Sequence, residues 1–211
     1  RFKCDWSSDV ALPISEVEKL FRTGDYTNTV AEAERALAAG SGDADWPLLR
    51  IRGLWTLGRY EDAYGSLTNA LRKHPRNLRL RWLARDVYRA TARTNAAADV
   101  LTEIRNMVSG RPWGFREPAD LVIFGRVALL IGADPKDVLE RLFEPATKAD
   151  PNLRDAYQAR GDLALDKHDF ALAAKVFTEA AKKFPDDPDF QCGLAMAHAE
   201  GDRGAMIEAV E

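Results

Sequence analysis

Apolar residues along this chain return at helical spacing in short blocks, and each block closes at a turn-forming residue. Arg154 to Asp187 reads RDAYQARGDLALDKHDFALAAKVFTEAAKKFPDD. Within it Ala173, Phe177 and Ala180 recur at steps of four and three, which places them on one narrow face of a helix. The small residues on either side leave room for Phe177 to sink between neighbours. Tyr157 and Gly161 lie one turn apart on a preceding helix, and Gly161 removes the side chain that would hold the two helices apart. Pro185 cannot continue a helix, so the unit is predicted to end there as a helix, a turn and a second helix.

The same pattern returns when the chain is shifted by about 34 residues. Residues 120–153 place Phe143, Ala146 and Pro151 under Phe177, Ala180 and Pro185. Residues 78–111 carry Tyr88, Ala97, Leu101 and Ile104. Residues 44–77 carry Leu54, Gly58, Tyr60, Ala63, Leu67, Ala70 and Pro75, and residues 10–43 carry Leu20, Gly24, Asp25, Tyr26 and Ala36. A sixth, partial copy starts at Pro188. The period breaks once, at residues 112–119, PWGFREPA, where two prolines and a glycine predict an inserted loop whose Trp113 and Phe115 tuck against the flanking helices.

Spacing and residue types together resemble the tetratricopeptide repeat (TPR), whose pattern runs tryptophan, leucine-glycine, tyrosine, then alanine, phenylalanine and proline. The fifth copy departs from it with Arg160 where the family prefers leucine and Ala164 where it prefers tyrosine. The resemblance, to a bacterial-type array, implies an all-α fold: a right-handed superhelical TPR solenoid of helix-turn-helix repeats forming a single array over residues 1–211.

Local signals place the element ends. Ser15 followed by Glu18 reads as a capping box for the first helix, Gly24-Asp25 as a turn into a helix over Thr27 to Ala39, and Gly40 to Asp45 as a joint. A helix follows Trp46-Pro47 and runs to Gly58, and its partner spans Tyr60 to Lys73. Asp134 caps a helix with Pro135 at its first position. The last helix is expected to end near Gly201-Asp202. Residues 1–13 read as a polar lead-in that is poorly ordered unless Phe2 and Trp6 pack on the first repeat.

Composition narrows the function classes. The chain is 46% apolar and 30% charged, with no uninterrupted apolar run of about eighteen residues to cross a membrane. Its net charge of -3 argues against general polyanion binding, nucleic acid included. Cys4 and Cys192 lie near opposite ends and form no metal-ligand spacing, and their oxidation state is left open. The absence of an initial methionine suggests a processed or excised chain, and both a cytoplasmic and an exported, periplasmic location stay open. His74, His168 and His198 fall in no paired metal motif, and neither cysteine has a neighbouring base. The expectation is therefore no enzyme, no catalytic residue, no cofactor and no metal.

One segment is electrically distinct. From Arg72 to Arg93 eight basic residues face the single acid Asp86, and Arg81, Arg85, Arg89 and Arg93 recur every fourth residue along one helix face. Such a stripe either pairs with acids on adjacent helices while its stems cover apolar surface, attracts an acidic partner segment, or, as the least favoured reading, meets nucleic acid.

The resemblance also implies a site. In TPR arrays the first helices of successive repeats line a concave groove that takes extended peptides or partner helices. By position the groove would include Ala11, Ile14, Glu18 and Phe21, then Leu48, Arg52 and Trp55, then Arg79, Trp82, Asp86 and Arg89. It continues with Leu121, Phe124 and Ile131, and ends with Asp155, Gln158, Asp162 and Leu165. Arg52, Trp55, Arg79, Trp82, Arg89 and Phe124 are the candidate peptide-binding residues, with the tryptophans as anchors and the arginines suited to an acidic protein partner. A TPR subset grips chaperone C-terminal carboxylates. The matching positions here, Ile14, Glu18, Leu49, Arg79 and Leu83, offer only Arg79 in suitable chemistry, so no such clamp is expected. The function implied is a non-catalytic protein-protein interaction scaffold. The alternative is a substrate-presenting or targeting arm of a larger bacterial protein carrying a metallopeptidase-like domain outside this chain.

Overall fold

The computed structural model describes residues 11–110 and 115–199, and among them every regular element is helical. Phe2, Cys4, Trp6, Trp113 and the expected helix end at Gly201-Asp202 lie outside the described residues. The helices pair off in chain order. The first hairpin is α1 (Ile14–Arg22) with α2 (Tyr26–Ala38), the second α3 (Asp45–Thr56) with α4 (Tyr60–Lys73), and the third α5 (Leu78–Ala90) with α6 (Thr94–Gly110). The fourth has α7 (Pro118–Leu130) facing α8 (Pro135–Val138), a π-helical turn over Leu139–Phe143, and α9 (Glu144–Ala149). The fifth joins α10 (Arg154–Asp166) to α11 (Phe170–Lys183), and α12 (Pro188–His198) opens the sixth. Contacts group residues 1–102 and 103–211 into two compact units.

One backbone device makes the bend inside every hairpin. The first helix ends on a left-handed residue, Gly24, Gly58, Ala92, Gly132 or His168, with φ between 57° and 90°. The next amide then donates five residues back: Asp25 to Leu20 O at 2.9 Å, Arg59 to Leu54 O at 2.9 Å, Arg93 to Tyr88 O at 2.8 Å, Ala133 to Ala128 O at 2.9 Å and Asp169 to Ala164 O at 2.9 Å. This closure satisfies carbonyls that the helix end would otherwise leave unpaired. Glycine accepts that conformation without strain, whereas Ala92 and His168 adopt it against their Cβ. Between hairpins the chain turns at His74–Asn77, Asp150–Leu153 and Phe184–Asp187, closed by hydrogen bonds of 3.1 to 3.2 Å. Pro75, Pro151 and Pro185 sit in these turns, where their missing N–H costs nothing.

Three local expectations are corrected. Helix α1 begins at Ile14, so Ser15 is inside it and caps nothing; the Pro13 carbonyl already accepts from Glu16 and Val17 at 2.9 and 3.2 Å. Helix α3 begins at Asp45, taking Trp46 and Pro47 into its buried first turn. Helix α7 begins at Pro118, so two residues of the expected insertion 112–119 are helical; proline's fixed φ suits a first turn. Asp134 caps α8 as expected, accepting from Lys136 N and Asp137 N at 2.9 and 3.1 Å. The fourth hairpin's second helix is interrupted because Pro145 has no N–H for the helical ladder. The π turn before it lets Glu144 N reach Leu139 O instead.

In the first unit the core gathers Val17, Ala33, Ala36, Trp46 and Leu49, with Ile14, Phe21 and Leu37 packed against it. In the second, Phe143 fills a site against Gly125, and Val122, Val138, Ala146, Ala156 and Ala159 surround it. Phe177, 0% exposed, does more. Its ring lies against Gly161 of its own hairpin and against Gly193 of the next, where an added Cβ on Gly193 would come within 2.6 Å. Tyr157, Phe184 and Phe190 extend this packing through edge and tilted ring contacts with centroids 5.6 to 6.3 Å apart. One phenylalanine thus wedges two successive first helices, each of which lacks a side chain at the point of contact.

Candidate functional site

The first helices of the first unit lie in file, α3 touching both α1 and α5. Their partly exposed residues converge. The Arg79 guanidinium of α5 pairs with Asp45 of α3, and the Arg52 guanidinium of α3 lies over the Phe21 ring of α1, 4.4 Å from its centroid. Partial withdrawal from water pushes the Glu18 carboxyl above its ordinary value; nearby Asp45 adds to the rise, while Arg22, Arg79 and Arg52 oppose it. Five charged side chains from three successive hairpins therefore share one face.

Aromatic side chains stand beside this cluster. Trp55 follows Arg52 by one turn of α3 and is 38% exposed, a large apolar surface left in water. Trp82 follows Arg79 by one turn of α5 and is half-buried, with the Arg85 guanidinium 5.6 Å from its ring. Arg89 continues the same stripe two turns on; it is exposed and has no charged partner among the described residues. Leu48, placed in the groove from sequence, is instead buried in the core.

The basic stripe is largely engaged within the chain. Arg93 pairs with Glu61 of the preceding hairpin at 3.1 Å and covers the Tyr64 ring at 3.6 Å. Arg81 donates to the Pro75 carbonyl at 3.1 Å, and Arg85 covers Trp82. Arg79 and Asp45 stand one repeat period apart in sequence, as nearly do Arg93 and Glu61.

The second unit repeats the theme on α7, α10 and α12. Arg154 of α10 grips Asp187, itself 1% exposed, through Nε at 2.6 Å and Nη2 at 3.1 Å, reaches Asp189 at 2.5 Å, and covers the Phe190 ring at 5.0 Å. Burial works against this guanidinium's charge, but the hydrogen bonds and charge of Asp187 outweigh it and hold Arg154 protonated above its ordinary value. Asp187 also accepts from Asp189 N at 3.2 Å as the cap of α12, so this pair joins the two hairpins rather than offering a free site. Burial raises the Asp162 carboxyl, opposed by the hydrogen bond from Gln158 Nε2 at 2.6 Å and by Arg126 and Arg154. Phe124, a candidate peptide-binding residue, is half-buried edge-on against buried Phe115, their centroids 6.0 Å apart. Phe115 thus tucks inward as expected.

No cluster of three histidine, cysteine or carboxylate groups able to hold a metal forms among the described residues. His74 ends α4, His168 occupies a turn, His198 ends α12, and Cys192 is an exposed free thiol. No described helix is long and apolar enough to cross a membrane.

Comparison with known proteins decides the family. The tetratricopeptide repeat profile matches residues 48–109, 140–188 and 158–205, more than half of the chain. The chain belongs to the tetratricopeptide repeat family. Among solved structures it is similar to TTC0263, a thermophilic TPR protein of Thermus thermophilus, at 20% identity and a TM-score of 0.59, over 88% of this chain and 96% of that one. A TPR protein of Parabacteroides merdae gives 14% identity and a TM-score of 0.49 over 93% and 75% of the two chains. YrrB, described as a TPR protein with an unusual peptide-binding site, gives 17% identity and a TM-score of 0.43 over 84% and 88%. No curated protein matches the chain. The TPR fold is that of a protein-protein interaction scaffold, and TPR proteins bind protein or peptide partners.

Proposed function

We propose that this TPR protein is a non-catalytic scaffold whose first unit takes an extended peptide or partner segment across the outward face of α1, α3 and α5. The observation that carries this reading is the convergence of Glu18, Arg22, Asp45, Arg52 and Arg79 from three hairpins, with Trp55 left 38% exposed beside them. A partner side chain with a carboxylate would find Arg89 and the rim of Arg52, and an apolar residue would cover Trp55 and Trp82. Arg79 acts differently from Arg52 and Arg89: its pairing with Asp45 holds α3 and α5 in register beneath the ligand.

Selection of peptides from a random library on the immobilised full chain tests the reading. The selected peptides should carry acidic and apolar residues, and Trp55→Ala and Arg89→Glu should each weaken them at least about tenfold, or about 1.4 kcal/mol. Arg141→Glu, at an exposed position in the second unit, should leave them unchanged. Equal affinity across all three variants contradicts the site.

A further inference from the structure

The second unit holds a cavity of about 410 Å³ between α9, α10 and α11, within the size range of small-ligand pockets. It is lined by Glu144 and Lys148 of α9, Tyr157 and Arg160 of α10, and Glu179 and Lys183 of α11. Several of these groups already engage each other. Lys148 Nζ stands 3.7 Å from Glu144, and the Tyr157 hydroxyl lies within hydrogen-bond distance of two acceptors, Glu179 at 3.4 Å and the Pro151 carbonyl at 3.2 Å, with Lys183 as a further hydrogen-bonding neighbour. Arg160 is different: its Nε is buried and donates to no acceptor among the described residues.

Arg160 is also the residue that breaks the repeat pattern, standing where the family prefers leucine. Leucine in this slot would complete the apolar contact between the two helices of a hairpin. A guanidinium there gives up that contact and leaves a desolvated donor on a residue that lines the cavity, a costly arrangement unless an acceptor meets it. Lys183 adds a second positive charge, its Nζ 5.8 Å from the Tyr157 ring centroid.

We infer that this cavity is an anion site that receives a single carboxylate group. A carboxylate matches the planar guanidinium edge, with Arg160 Nε as one donor and Lys183 as the second cation. The acids Glu144 and Glu179 in the same wall repel a doubly charged phosphate more than a monoanion, which sets the preference. The carboxylate comes either from a free small organic acid or from the end of a protein chain.

The test uses the full chain at pH 7 and constant ionic strength, following the Arg160 Nε–Hε resonance by nuclear magnetic resonance. Acetate, succinate, inorganic phosphate, the peptide acetyl-Ala-Leu-Ala with a free C-terminus and its C-terminal amide are titrated separately. A saturable shift with the carboxylates, at least about fivefold weaker or absent with phosphate and the amide, supports the site. A peptide binding at least about tenfold tighter than acetate identifies a chain end as the source, and equal or tighter binding of the free acids identifies a small molecule. Arg160→Leu restores the residue the fold prefers, so it should fold and lose the saturable shifts at neighbouring Tyr157 and Lys183 amides. Lys183→Gln should weaken binding with the Arg160 signal still in place to be read. No saturable shift with any carboxylate, tighter binding of phosphate, or an unchanged titration in Arg160→Leu overturns the inference.

Discussion

Removing the Phe177 ring should cost this chain about 4 to 5 kcal/mol, near the top of the range for aromatic truncation. The side chain is 0% exposed, so its transfer out of water alone accounts for about 2 to 3 kcal/mol. The rest comes from the void. Gly161 and Gly193 flank the ring and have no side chains to swing inward, and both lie in helices whose backbones are fixed by their own ladders. A residual space of about 80 Å³, at about 24 cal/mol per Å³, adds about 2 kcal/mol. Phe177→Ala would be measured against the parent by urea unfolding followed by far-UV circular dichroism. Amide exchange resolved along α10, α11 and α12 would accompany it, because repeat units can open separately. Leu130→Ala, at a position 50% exposed, is the control and should stay within about 0.5 kcal/mol. A loss below about 1 kcal/mol for Phe177→Ala, or protection at α12 that does not fall, would refute the wedge.

Other outcomes follow from particular contacts. Ala92→Gly relieves a left-handed alanine at φ 57° and should stabilise the chain by about 1 kcal/mol in the same urea assay, since the relief exceeds the added freedom of the unfolded chain. Gly125→Ala drives a Cβ into the Phe143 ring and should cost about 1 to 3 kcal/mol by thermal or urea unfolding. A double-mutant cycle on Asp45→Ala and Arg79→Ala should return a coupling of about 0.5 to 1 kcal/mol that shrinks in 1 M salt, as expected for a partly exposed pair. Glu18 binds its proton more tightly folded than unfolded, so its contribution favours the fold below the ordinary carboxyl range and is lost as pH rises through the elevated value. Glu18→Gln should accordingly gain on the parent at pH 7 and lose that gain at about pH 3.5, measured as the shift in unfolding midpoint.

Much of the fold was legible because its period is written in residue types with single physical roles. Gly161 and Phe177 announced a close approach, and Pro75, Pro151 and Pro185 marked turns that the structure places there. Ser15 misled because it matches a local rule that Pro13 had already pre-empted two residues earlier. The π turn before Pro145 was signalled by that proline's missing N–H, but a proline inside a run of helix formers does not say whether the helix stops or bulges. The face of α1, α3 and α5 was legible as a set of positions and not as a network. Asp45 and Arg79 are opposite charges one period apart, a pairing signal that a sequence full of solvated charges hides. The cavity beside Arg160 depends on how α9, α10 and α11 pack, which no single helix encodes, although the misplaced arginine was visible as a break in the pattern.

The most direct test of the proposed scaffold is the amide chemical-shift map of the full chain on addition of a library-selected peptide. The perturbed residues should lie along the first helices of the first unit, centred on Glu18, Arg52, Trp55, Trp82 and Arg89. Perturbations confined to α2, α4 and α6 would contradict it.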